Sequence, residues 1–62
     1  MNEQDFRDVL HEALIMYMDD EGENTISRVQ TFEEAGVLTA NTGLVIKTED
    51  GSEFQLTIVQ SK

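Results

Sequence analysis

The sequence contains no cysteine, and it sets only four Lys or Arg against thirteen Asp or Glu in 62 residues. Each scarcity excludes a class of protein. Without cysteine there is neither a disulfide framework nor a thiolate metal site, which suits a reducing cytoplasm. Arg7, Arg28, Lys47 and Lys62 stand singly, whereas direct grip on nucleic acid needs clustered cations to neutralise phosphates. No apolar run approaches the length of a membrane span, and Met1-Asn2-Glu3-Gln4-Asp5 is acidic where a signal peptide carries positive charge. A cytoplasmic protein without a membrane partner is expected. Glycine is not clustered either: Gly22, Gly36, Gly43 and Gly51 are spread as punctuation, and none opens a phosphate-cradling loop. A chain of this length buries only about 60% of the surface its unfolded form exposes, so a single small domain over residues 1–62 with a marginal core is expected.

The acidity that is present is regional. Of the net charge of −9, residues 1–23 carry −7 and the remaining thirty-nine residues only −2. A concentrated charge of one sign creates a local field that a basic partner can feel.

The acidic half reads as one amphipathic helix over about residues 3–20. Phe6, Val9, Leu10, Ala13, Leu14, Tyr17 and Met18 recur at helical spacing and predict the core-facing stripe. Asn2 is the expected N-cap, with Asp5 three residues on as a relative of the capping box and Glu3/Arg7 as a stabilising pair. Gly22 and Asn24-Thr25 mark the exit, although Asp19, Asp20 and Glu21 lie at the negative end of the helix dipole, where each is unfavourable by about 0.3 to 1 kcal/mol. At about 100° per residue, Asp5, Asp8, Glu12 and Asp19 fall in one narrow sector and form an acidic ridge without interspersed Lys. Ile15 points almost opposite Phe6, so it is expected to be exposed beside the ridge as an apolar anchor.

From Leu44 the period changes to two. Leu44, Ile46 and Thr48, then Phe54, Leu56 and Ile58, predict strands over about 43–48 and 53–60. A two-residue turn at Asp50-Gly51 would send their apolar residues to opposite faces. A three-residue loop, Glu49-Asp50-Gly51, with Gly51 left-handed in a G1 bulge, instead sets Ile46 against Phe54, Leu44 against Leu56 and Lys47 against Glu53. A further strand is predicted over about 26–32. After it, Thr31-Phe32-Glu33-Glu34 reads as a capping box that starts one helical turn closed at Gly36, Val37-Leu38 as a core plug and Asn41-Thr42-Gly43 as a turn. Residues 54–60 are uncharged, proline-free and β-prone, a hazard when left as an open edge. Two arrangements would cover that strand. Either the strand near 26–32 adds beside it, giving order 1-3-2, or another chain pairs with it; the first is preferred. The predicted fold is α+β: an N-terminal helix packed on a three-stranded antiparallel or mixed sheet, in two layers.

Chemistry is scarce. His11-Glu12 begins like a zinc-protease helix, but the position four after His11 is Ile15. The run from Asp19 to Asn24 resembles a calcium loop until its glycine falls fourth rather than sixth. Ser27, Ser52 and Ser61 lack an elbow motif, and the one histidine lies on another element. The carboxylates sit on a convex helix face rather than in a shelter that separates their pKa values. No enzyme, cofactor or metal is expected.

Two functions remain. The first is a small acidic inhibitor that mimics nucleic acid and occupies the basic groove of a nucleic-acid-binding protein. Its contact residues would be Asp5, Asp8, Glu12, Ile15 and Asp19, with Asp20, Glu21 and Glu23 as a second cluster. In size and charge balance, though in no motif, the chain is similar to small acidic inhibitors encoded by phages, anti-CRISPR proteins among them. The second is a structural or regulatory module that forms a homodimer through an edge strand, its acidity serving solubility alone.

Overall fold

The fold follows from where the apolar residues are continuous and where they merely alternate. The computed structural model describes residues 1–20 and 25–62. Its elements are helix α1 (Glu3–Asp20), strand β1 (Ile26–Thr31), the single turn α2 (Phe32–Ala35), and strands β2 (Thr42–Thr48) and β3 (Glu53–Ile58). One antiparallel sheet in the order β1-β2-β3 carries α1 on one face. The chain is thus a small α+β fold.

The helix starts as its sequence predicts. Asn2 Oδ1 accepts from the Asp5 N–H at 2.8 Å, and Asp5 Oδ2 accepts from the Asn2 N–H at 3.2 Å, satisfying two otherwise orphaned donors reciprocally. No basic residue stands in the last turn, so the conflict with the helix dipole at Asp19 persists. The expected stop at Gly22 lies outside the described residues.

The hairpin register is the one the three-residue loop requires. Lys47 pairs with Glu53, Ile46 with Phe54 and Leu44 with Leu56, and Gly51 has φ 89°. Thr48 N–H donates to Ser52 C=O at 2.9 Å and Gly51 N–H to Thr48 C=O at 3.0 Å, closing the bulge. Lys47 Nζ stands 3.9 Å from Glu53 Oε1. At α2, Thr31 Oγ1 accepts from the Glu34 N–H (3.1 Å) while Glu34 Oε1 accepts from the Thr31 N–H (2.9 Å), and Gly36 ends the turn at φ 77°. This is the predicted capping box.

Strand order is corrected. β2, not β3, is central, because Leu44, Val45 and Ile46 are all buried, a continuous apolar triplet that only a strand covered on both faces and both edges can hide. The connection through α2 is short, so it returns β2 beside β1 without crossing over β3. Gly43 lies in β2, as the strand over 43–48 predicted, and Thr42 joins it in place of the expected turn. A Cβ on Gly43 would clash with the Leu56 carbonyl oxygen and stand 2.5 Å from the Phe32 ring, so glycine lets that buried ring lie against the strand. The expected plug is half-formed: Val37 is partly buried, but Leu38 is 100% exposed.

The core between the layers is Val29, Leu44 and Ile46, with Leu10, Leu14, Ile15, Met18 and Ile26 packed against it. The facing of α1 is therefore also corrected. Leu10, Leu14 and Met18 turn inward as predicted, and Ile15 joins them, whereas Phe6, Val9, Ala13 and Tyr17 of the predicted stripe are exposed. The buried apolar surface of the sheet lies on β1 and β2, so the helix settles over those two strands and rotates toward Ile15.

Candidate functional site

Two surfaces result from that rotation, and they adjoin one another on α1. The first is the acidic ridge. Asp5, Asp8, Glu12 and Asp19 are all exposed. At 1.5 Å rise per residue, the successive steps along the axis are about 4.5, 6 and 10.5 Å. The reciprocal cap fixes the start of the row. Arg7 braces Asp8, its Nε and Nη2 lying 3.1 and 3.0 Å from Asp8 Oδ1, while its Nη1 stands 3.6 Å from Glu33 Oε2 on α2. Arg7 does not pair with Glu3 as expected. Glu3 Oε2 instead accepts the Gln60 N–H at 2.8 Å, tying the start of α1 to the residues after β3.

Among the described residues no cation lies within ion-pair distance of Asp5, Glu12 or Asp19. The ridge keeps most of its negative charge unneutralised. Ile15 is withdrawn from it, because its side chain packs on the core. On the opposite flank, helical geometry places Val9 and Met16 beside the carboxylates, and Met16 is 64% exposed. Val9 was expected in the core-facing stripe, and Met16 carried no expectation. The available signal was the width of the apolar arc of α1, which from Met16 round to Ile15 exceeds what one sheet face can cover. The second cluster, the Asp20 side chain with Glu21 and Glu23, lies outside the described residues.

The second surface runs from the outer flank of α1 to β3. Phe6, Val9 and Tyr17 are exposed on the helix, and Phe54 (55%) and Leu56 (40%) on the strand. A cleft lined by Phe6, Ile58 and Val59 joins the two at one end. Phe54 and Leu56 stand opposite the buried Ile46 and Leu44, so they occupy the helix-side face of the sheet, beyond the reach of α1. A shallow depression bounded by Ala13, Met16, Tyr17 and Asp19 lies where this apolar surface meets the ridge.

Among the described residues, two carboxyl groups are held below their ordinary range, and both are structural. Asp50 is lowered by the Thr48 hydroxyl first and then by the Ser52 N–H, the groups that bind it within the hairpin loop. Glu34 is lowered chiefly by the Thr31 backbone and hydroxyl within the capping box, with a smaller effect of the His11 and Arg7 charges. Among the described residues no three His, Cys, Asp or Glu side chains gather as a metal centre would require, and no helix is long and apolar enough to cross a membrane. The arrangement offers charge, shape and apolar contact for binding. Comparison with protein-family models, with curated proteins and with solved structures finds no match for the chain.

Proposed function

We propose that the protein is a small acidic binding module, without catalysis of its own, whose α1 ridge seats in the basic, nucleic-acid-binding groove of another protein. The observation that carries this reading is a row of exposed, largely unneutralised carboxylates on a helix capped at its start and bordered by exposed Val9 and Met16. A row of carboxylates and a nucleic-acid backbone present the same thing to Arg and Lys: spaced anionic oxygens that accept charge-assisted hydrogen bonds. The apolar border adds what phosphates lack. It gives the module contacts that survive salt and favour a protein groove over a bare cation. Such a module acts by exclusion, as an inhibitor of the partner's access to DNA or RNA; antagonism of DNA-directed defence, the anti-CRISPR manner of action, falls within this class.

The experiment compares wild type with the triple variant Asp5→Lys, Asp8→Lys, Glu12→Lys as affinity bait in host extract, followed by quantification of the retained proteins. Basic nucleic-acid-binding proteins should be retained by wild type, be released by salt or by added duplex DNA, and be lost on the triple variant. Three reversed contacts at up to about 1 kcal/mol each predict roughly a hundredfold loss of affinity. Equal retention by a triple variant with unchanged circular dichroism would sink the reading.

A further inference from the structure

The two edges of the sheet are built differently. β1 is guarded: its register is interrupted between Ile26 and Arg28, it carries the charge of Arg28, and it runs directly into α2. β3 has none of these devices. Its register with β2 is unbroken from Glu53 to Ile58, it contains no Pro or Lys, and Glu53 at its start is its only charge. The hydrogen bond from Thr48 N–H to Ser52 C=O fixes which pairs of the ladder are hydrogen-bonded: Thr48/Ser52, Ile46/Phe54 and Leu44/Leu56. Gln55 and Thr57 therefore aim their N–H and C=O groups away from β2, toward an open edge.

We infer that this edge is filled by a second copy of the chain, β3 pairing with β3 antiparallel about a two-fold axis at Leu56. The evidence for a copy, rather than an unrelated strand, is self-complementarity. Centred on Leu56, the pairing sets Leu56 against its own equivalent and Phe54 against Ile58 of the copy, joining all three helix-side residues of β3. Gln55 and Thr57 of the two chains exchange the backbone hydrogen bonds that each chain leaves open. The two Glu53 carboxylates fall about 20 Å apart along the seam, so the pairing sets no like charges opposite one another. The same two-fold places both helices on one face of a six-stranded sheet. Their exposed flanks, Phe6, Val9 and Tyr17, then border the joined Phe54 and Leu56 patches.

Size points the same way. Among the described residues the buried hydrophobics are Val29, Phe32, Leu44, Val45 and Ile46, a thin core that a dimer extends. A standard interface of about 800 Å2 per partner would draw on roughly a sixth of the 4570 Å2 surface of the chain.

The inference does not depend on the ridge binding a partner, and salt separates the two. Dimerisation brings together two chains of charge −9, so raising NaCl from about 50 to about 500 mM should strengthen it, whereas ridge binding should weaken. The test is sedimentation equilibrium of the full chain from about 1 to about 500 µM, combined with amide hydrogen exchange at both ends of that range. The mass should rise from the 7.0 kDa monomer to twice that value, with the Gln55 and Thr57 amides becoming protected as it does. Leu56→Lys should return the mass to that of the monomer, while Leu38→Lys and the triple charge reversal on α1 still dimerise. A monomer throughout the range overturns the inference, and so does a dimer in which those two amides exchange at monomer rates. If Leu56→Lys fails to fold, the amide protection of wild type still decides.

Discussion

Gly43 is the residue on which the packing of the second half turns. Its place in β2 is permitted by the missing Cβ, since a methyl group would press on the Leu56 carbonyl and on the Phe32 ring at once. Gly43→Ala is expected to cost about 2–3 kcal/mol, the upper part of the range for overpacking, because one obstacle is backbone. In a domain of this size that corresponds to a fall in Tm of roughly 10 °C or more; an unchanged midpoint would mean that the Phe32 ring does not lie where described. Asp50 gives a prediction of opposite character. Its carboxyl is lowered from the ordinary 3.8 by the Thr48 hydroxyl and the Ser52 N–H. A depressed carboxylate stabilises the fold at pH above the unfolded value, and that stabilisation is lost as pH falls through the folded value. Wild type should therefore exceed Asp50→Asn in stability at neutral pH, and the difference should close below about pH 3.8. Urea denaturation of both proteins at several pH values checks it. A difference that stays constant down to the acid limb would contradict the hydrogen-bonded loop. Comparison of the two proteins cancels the separate relief of repulsion along the ridge as its carboxylates protonate.

At the level of elements, whatever depended on local chemistry was legible in the sequence. Asn2/Asp5 and Thr31/Glu34 announced their helix starts because a cap needs only four consecutive residues. The hairpin register followed because only one loop length sends Leu44, Ile46, Phe54 and Leu56 to the same face. What depended on long-range packing was less legible. Val45 made Leu44-Val45-Ile46 a continuous apolar run, the mark of a central strand, yet alternation with Lys47 and Thr48 disguised it as one-sided. The facing of α1 was ambiguous for a related reason: apolar residues cover more than half its circumference, so periodicity alone could not choose which arc the sheet would take. The structure chooses the arc that includes Ile15. Ile15→Ala should accordingly cost about 1–3 kcal/mol, whereas Met16→Ala on the free arc should change stability by less than about 0.5 kcal/mol. Thermal unfolding of the pair distinguishes the two faces directly, and a reversed order would restore the facing expected from periodicity. Asp5, Asp8, Glu12 and Asp19 are exposed along one side of α1, while Ile15, expected to be exposed beside them, packs on the core, and exposed Val9 and Met16 border them instead.

At the scale of the whole molecule, the division of charge and apolar surface is the property to explain. The sheet half is nearly neutral and leaves β3 open, while α1 carries a ridge of carboxylates along one side and exposed apolar residues along the next. Solubility alone does not require such segregation, since acids and bases interspersed over the surface serve it as well. Pairing two copies through β3 would place a second ridge, running antiparallel to the first, on the same face of a continuous sheet. The most direct measurement begins with a basic partner retained by wild type and bound to a fluorescent DNA duplex, which is then titrated with the protein while anisotropy is followed. Mimicry predicts that the duplex is released in competition, with a midpoint that rises with the DNA concentration and steeply with salt, and that the triple charge-reversal variant releases none. A partner that binds the protein while keeping its duplex would contradict the account.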